Sequence, residues 1–285
     1  MIPNKKYQVN ENYFNKINTE EKAYWLGFLY ADGSVRLHKE RSGILRLKLK
    51  NSDKDHIEKF NKCLESNYPI KERIEIVQKN NKKYNCYCSF VNIYNTKIVK
   101  DLYNIGCVNN KTQKIRLPKL DSNVLSHFIR GYFDGDGCIS KIKQGYNCYT
   151  ITIVSNKCFI YDLKNFLEHL FNINLTFKDY KNYSILSIYN RKDREIFYHY
   201  IYDNATIFLN RKKEIFDDMM DIKDIDRKTI NIKKYKIIDP HGNVFLTKDG
   251  LKSFCRENDL NYSNINNVLR GTTKNYKGWK IEHIQ

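Results

Sequence analysis

The chain has 285 residues, 41% hydrophobic and 14% aromatic, with 50 Lys and Arg against 32 Asp and Glu for a net charge of +18. That length accommodates one large domain or two to three smaller ones and excludes a disulfide-stapled miniprotein, while the apolar content excludes a disordered basic tail. The charge favours polyanions, and membrane insertion is not expected, because the most apolar run, Ala23 to Ala31, is far short of the roughly 20 residues that span a bilayer.

In chain order, Asn18 with Glu21 predicts a capping box for a helix through the apolar run to Ala31, stopped by Gly33. RLHKE and ILRLKLK, separated by Arg41-Ser42-Gly43, read as a strand hairpin. A helix over SDKDHIEKFNKCLE puts Ile57, Phe60 and Leu64 on one face. Strands around RIEIVQK and YNCYCSFVNIY precede a helix over TKIVKDLYNI. The same succession then returns: a helix to Phe133, strands near CISKIKQ and YTITIVS, a helix KCFIYDLKNFLEHLF, strands NLTFKDY and YSILSIYN, and a helix from Arg191 to about Asp203. The charged, aperiodic DDMMDIKDIDRKTINIKK predicts a linker over 221–233. Beyond it, YKIIDPHGNVFL reads as a hairpin turning at Asp239-Pro240-His241-Gly242, which gives His241 a turn role. Two short helices, LTKDGLKSFCRENDL and YSNINNVLRG, and a strand KGWKIEHI follow, with Phe254, Ile265, Val268, Leu269 and Trp279 as a minimal core. The expected organisation is α+β: αββαββα halves at 1–117 and 118–220, the linker, and a C-terminal module at 234–285.

The repeat is also visible residue by residue. YWLGFLYADGSV matches FIRGYFDGDGCI, so Gly27, Asp32 and Gly33 map onto Gly131, Asp136 and Gly137, 104 residues further on. IYNTK recurs as IYNRK, and VNNKTQKI aligns with LNRKKEIF. Gly27 and Ala31 share one helix face, as do Gly131 and Gly135, and small residues at that spacing let two backbones approach. Two such helices packed about a pseudo-two-fold axis bring Asp32 and Asp136 together at adjoining C-terminal ends. Each carboxylate is then opposed by a helix macrodipole and by its twin, which calls for a hard divalent cation held by the two carboxylates and the Ala31 and Gly135 carbonyls.

These paired segments resemble the signature helices of LAGLIDADG homing endonucleases in their single-chain form, over roughly residues 20 to 220. The resemblance implies two pseudo-two-fold related halves forming a saddle of antiparallel sheets in the DNA major groove. It further implies Mg²⁺-dependent cleavage of both strands, with Mn²⁺ as an alternative, to leave short 3′ overhangs. Asp32 and Asp136 fall at the acidic position; Tyr30 replaces a signature Asp that Asp134 keeps, and Arg130 replaces an apolar residue. The lysine that assists the metal site in each half of this family is assigned to the matched Lys111 and Lys212. A monomer is implied, and rival activities on the same scaffold are an intron RNA maturase and a non-catalytic DNA-binding regulator. The chain is expected to be soluble and intracellular, in the cytoplasm or an organelle matrix.

Alternation in ILRLKLK places Leu45, Leu47 and Leu49 on one face and Arg46, Lys48 and Lys50 on the other, a cationic stripe suited to phosphate contact and guanine readout. Arg36, His38, Arg73, Lys141 and Lys143 extend it from neighbouring strands. The C-terminal SNINNVLRG with KGW resembles the modular helix-turn-helix units of phage and intron nucleases, which implies DNA contact through Ser263, Asn264, Asn267 and Arg270. The eight cysteines form no CxxC pair and are expected to be reduced thiols packed as small hydrophobes.

Overall fold

The structure, a computed structural model, describes residues 6–37, 43–79, 82–109, 113–142, 148–221, 235–247 and 251–283. The chain divides into two units, residues 1–222 and 223–285. The first is built twice on one plan, and its class is α+β. Its first half runs α1 (Glu20–Ala31), β1 (Gly33–Arg36), β2 (Ile44–Lys50), a short 3-10 turn, α2 (Lys54–Cys63), β3 (Ile70–Lys79), β4 (Lys82–Tyr94) and α3 (Thr96–Asn104). Its second half runs α4 (Ser122–Asp136), β5 (Gly137–Ile142), β6 (Cys148–Ser155), α5 (Lys157–Phe171), β7 (Thr176–Asp179), β8 (Ser184–Ile188), α6 (Arg191–Tyr202) and α7 (Asn210–Asp221).

Each half carries one antiparallel four-stranded sheet, ordered β1-β2-β4-β3 and β5-β6-β8-β7. The period-2 pattern sets what each face does. Leu45 and Leu47 pair with Ile93 and Val91 and are fully buried, whereas Arg46, Lys48 and Lys50 stand on the opposite, exposed face. Helices α2 and α3 pack on the first sheet and α5 on the second. Between the sheets lie α1 and α4. Eight consecutive residues of α1, Ala23 to Tyr30, are buried, so this helix has no solvent face in its central turns.

Several local expectations need correction. The α1 cap is Thr19, whose Oγ1 accepts from Lys22 N at 3.4 Å, in place of Asn18. α4 extends beyond Phe133 to Asp136. α7 occupies residues assigned no helix, and Asp221, placed in the linker, is its last residue. Its buried positions Lys212, Phe216 and Met219 have helical spacing, but a lysine at the first of them hides the apolar pattern. The rest of the 221–233 linker lies outside the described residues. Cys88, Cys107 and Cys255 are buried free thiols, but Cys138 and Cys158 are exposed rather than packed.

In the second unit, β9 (Tyr235–Ile238), β10 (Val244–Leu246) and β11 (Lys280–His283) form a sheet ordered β10-β9-β11, accompanied by α8 (Leu251–Glu257) and α9 (Tyr262–Leu269). Its core is Ile237, Leu251, Cys255, Ile265, Val268 and Ile281, with Phe254, Leu269 and Trp279 partly buried around it. The β9–β10 turn is closed by Asp239, whose Oδ1 accepts from His241 N and Asn243 N, with Gly242 at φ +88°.

Candidate active site and nucleic-acid interface

The α1–α4 contact is a reciprocal backbone packing. A Cβ on Gly27 would collide with the Phe128 carbonyl, and a Cβ on Gly131 with the Tyr24 carbonyl. The same 104-residue offset relates both members of each pair. Gly135 lies against Ala31 in the last turn, and a Cβ there would stand 3.2 Å from Asp32 Oδ2. The Asp32 carboxylate therefore reaches the terminal turn of α4, which ends on Asp136.

Both helix ends are rigidly closed. Asp32 is the α1 C-cap and its N–H reaches the Phe28 and Leu29 carbonyls; the Gly137 N–H bonds to Phe133 O. Gly33 and Gly137 are not left-handed caps, since neither has positive φ. They are glycines because a side chain would strike the preceding turn: a Cβ on Gly33 would lie 2.7 Å from Leu29 O. Asp32 and Asp136 are both exposed, so two carboxylates meet at a solvent-accessible, electronegative junction of helix C-termini.

Hard oxygen donors at that junction suit Mg²⁺ or Mn²⁺. Among the described residues no three His, Cys, Asp or Glu side chains cluster, so a cation at this junction would have the Asp32 and Asp136 carboxylates as its side-chain ligands and the Ala31 and Gly135 carbonyls as candidate further oxygen donors. Lys212 is buried against the end of α4: its Nζ donates to the Gly137 carbonyl and lies 5.4 Å from the Phe133 ring centroid. Burial, with Arg211 nearby, lowers its pKa, against the opposing pull of Asp134 and Asp32. Lys111, its match, lies outside the described residues.

Behind the junction is a buried polar network that sequence reasoning missed. Asp134 accepts from Tyr24 at 2.8 Å, Tyr202 at 2.5 Å and Leu209 N at 2.7 Å. Burial raises its pKa against these hydrogen bonds. Arg130, fully buried, donates to Ile207 O, Ile201 O and Glu20, tying α4 to the start of α1 and the end of the second half. His56 Nε2 lies 2.9 Å from Tyr24 Oη, and burial pushes its pKa down to about 3. The signature departures thus have structural roles. In the first half the corresponding Tyr30 donates to Ile105 O, beside Gly106, where φ +97° and a would-be Cβ at 2.6 Å from the Tyr30 hydroxyl both require glycine.

On the exposed sheet face of the first half, Arg36, Arg46, Lys48, Lys50 and Arg73 lie on one side by register. Arg46 and Arg73 flank the Phe90 ring at 5.6 and 5.8 Å, and Lys48 and Arg73 share Glu75. Lys141 is exposed on the second sheet; its neighbour Lys143, like His38, is outside the described residues. The β3–β4 hairpin outgrows the core, leaving Ile76 and Tyr87 69% and 60% exposed. In the second unit Ser263, Asn264, Asn267 and Arg270 are exposed, on a side of α9 away from buried Ile265 and Val268. No helix among the described residues is long and apolar enough to cross a membrane.

The LAGLIDADG-like domain model matches residues 19–105 and 123–202, together more than half of the chain. No curated protein matches. Among solved structures, the homing endonuclease I-WcaI bound to its DNA recognition sequence is 21% identical with a TM-score of 0.52, over 75% of this chain and 94% of that one. The LAGLIDADG homing endonuclease I-GzeII in complex with its DNA target is 12% identical, with a TM-score of 0.47 over 72% and 89% of the two chains. Full-length WhiA (DUF199) from Thermatoga maritima is 20% identical, with a TM-score of 0.43 over 76% and 68%. The likeness to I-WcaI is one of fold.

Proposed function

The chain belongs to the LAGLIDADG-like domain family, and from that premise we propose that it is a site-specific DNA endonuclease of the homing type, cutting both strands of a long, nearly asymmetric target. The observation that carries the reading is the meeting of Asp32 and Asp136 at the solvent-exposed ends of two helices locked together through Gly27 and Gly131.

In this reading Asp32 and Asp136 hold the divalent cations, with the Ala31 and Gly135 carbonyls as further oxygen ligands, and neither acid need accept a proton. A bound Mg²⁺ or Mn²⁺ supplies Lewis-acid chemistry for phosphodiester hydrolysis. Lys212, and Lys111 in the other half, place positive charge near the reacting phosphate. Arg36, His38, Arg46, Lys48, Lys50, Arg73, Lys141 and Lys143 contact the duplex, each half covering about one helical turn, roughly 10 bp. Ser263, Asn264, Asn267 and Arg270 of the second unit extend that contact as a helix-turn-helix module. The protein acts as a monomer, its halves supplying the two-fold relation that cutting both strands requires.

The test is cleavage of a randomised duplex library with Mg²⁺ by the natural chain, Asp32→Asn and Asp136→Asn. Selected double-strand breaks with 3′ overhangs, lost in both variants while binding persists, are expected. Tight site-specific binding without cutting assigns the regulator role, and preference for folded RNA assigns the maturase role.

A further inference from the structure

Cys86 and Cys88 occupy alternate positions of β4 and therefore share one face of the first sheet. Their sulfurs stand 3.5 Å apart; both are free thiols, Cys86 partly exposed and Cys88 buried. The face they share is the cationic one. By register Cys88 lies between Lys50 on β2 and Arg73 on β3, and Cys86 lies beside Glu75, whose carboxylate accepts from Lys48 and Arg73. Two sulfurs converging from one strand are the donor pair that a soft metal ion takes, and the surrounding lysines and arginine favour the negative charge of paired thiolates. The matching strand of the second half, β8, contains no cysteine.

Strand geometry separates metal binding from disulfide formation. Alternate residues of a strand are about 6.6 Å apart, close to the widest Cα separation, about 6.8 Å, that a disulfide tolerates. A metal between the sulfurs relaxes that limit, since bonds of about 2.3 Å to each sulfur span up to about 4.6 Å, a gap that a small side-chain rotation opens. Zinc calls for four ligands, and among the described residues no three His, Cys, Asp or Glu side chains cluster. Monovalent copper is satisfied by two thiolates. We propose that Cys86 and Cys88 form a binding site for one soft monovalent metal ion, Cu⁺, held between their two sulfurs. Each thiol gives up its proton, so the chain and one Cu⁺ yield the bis-thiolate complex and two protons, and the site becomes one unit more negative among Lys48, Lys50 and Arg73. This site does not depend on the endonuclease reading.

The test is titration of the full reduced chain with Cu⁺ under anaerobic conditions, in competition with bathocuproine disulfonate, a coloured Cu⁺ chelator. One equivalent held against the chelator is expected. Cys86→Ser and Cys88→Ser should each weaken it about a hundredfold or more, because one of two points of attachment is lost. Joint replacement of the exposed single thiols, Cys138→Ser with Cys158→Ser, should leave it unchanged. X-ray absorption at the copper edge should show two sulfur neighbours. Thermal melting of the same proteins guards against a general loss of fold, and Cys86→Ser, at the more exposed position, carries the test if Cys88→Ser melts early. A natural chain that yields all its Cu⁺ to the chelator, or serine variants that hold Cu⁺ as the natural chain does, would overturn the proposal.

Discussion

The two halves of the first unit share one frame and differ in what fills it. Where α1 and α4 touch each other, the copies are identical in kind: Gly27 and Gly131 each face the backbone of the other helix. Elsewhere along the two helices they have diverged: Tyr30 against Asp134, Phe28 against Tyr132, Leu26 against Arg130. The sheets diverge further. β3 and β4 have 10 and 13 residues, β7 and β8 only 4 and 5. A contact made through backbone admits one residue type, and a contact made through side chains admits any pair that fills the space and satisfies its polar atoms.

The largest effect should fall where the halves agree. Gly27→Ala and Gly131→Ala each force a methyl into a carbonyl and are expected to cost at least about 3 kcal/mol by overpacking, to a similar degree, in thermal or urea unfolding. A large difference between them would show that the two glycine contacts are not equivalent. Next, Asp134→Ala leaves two buried tyrosine hydroxyls and the Leu209 N–H without their acceptor, which should cost about 3 kcal/mol. Its counterpart, Tyr30→Phe, removes one hydrogen bond and should cost only about 1 kcal/mol, measured the same way.

His56 sharpens the contrast through pH. Its folded pKa, about 3, lies below the ordinary 6.5, so between those values the unfolded chain binds the extra proton. Stability from this group is complete above pH 6.5 and is lost as pH falls toward 3, by at most about 5 kcal/mol. Lys59 and Arg211 add to the depression, and Tyr24 links the ring to Asp134. The raised pKa of Asp134 works with the opposite sign, gaining stability as pH falls through its own range. Unfolding of the natural chain and of His56→Leu, measured from pH 7 to 4, should therefore converge as the pH drops. Ile160, on the buried face of α5, cannot titrate, so Ile160→Val should give a pH-independent loss of about 1 kcal/mol.

What could be read in advance follows the same division. The repeat, the glycine pairs and the acidic ends were legible because close backbone approach leaves a fixed spacing in the sequence. The strand alternation in ILRLKLK was legible because it lies in a half-buried sheet. The Asp134 network was not, since its partners come from positions 24, 202 and 209, and nothing local ties them together. α7 was obscured by buried Lys212, which satisfies its charge on a carbonyl that only the fold brings near. The choice of Thr19 over Asn18 as cap turned on a one-residue boundary, where local propensities are nearly equal.

The burial of α1 on every side has a consequence for how the chain is made. Its outward face packs on α4, about a hundred residues later, so at roughly 5 to 20 residues per second the first half waits for several seconds with that apolar face bare. Neither half is therefore a complete folding unit, and release of the first alone from the ribosome should give a species that aggregates or pairs with itself through Gly27.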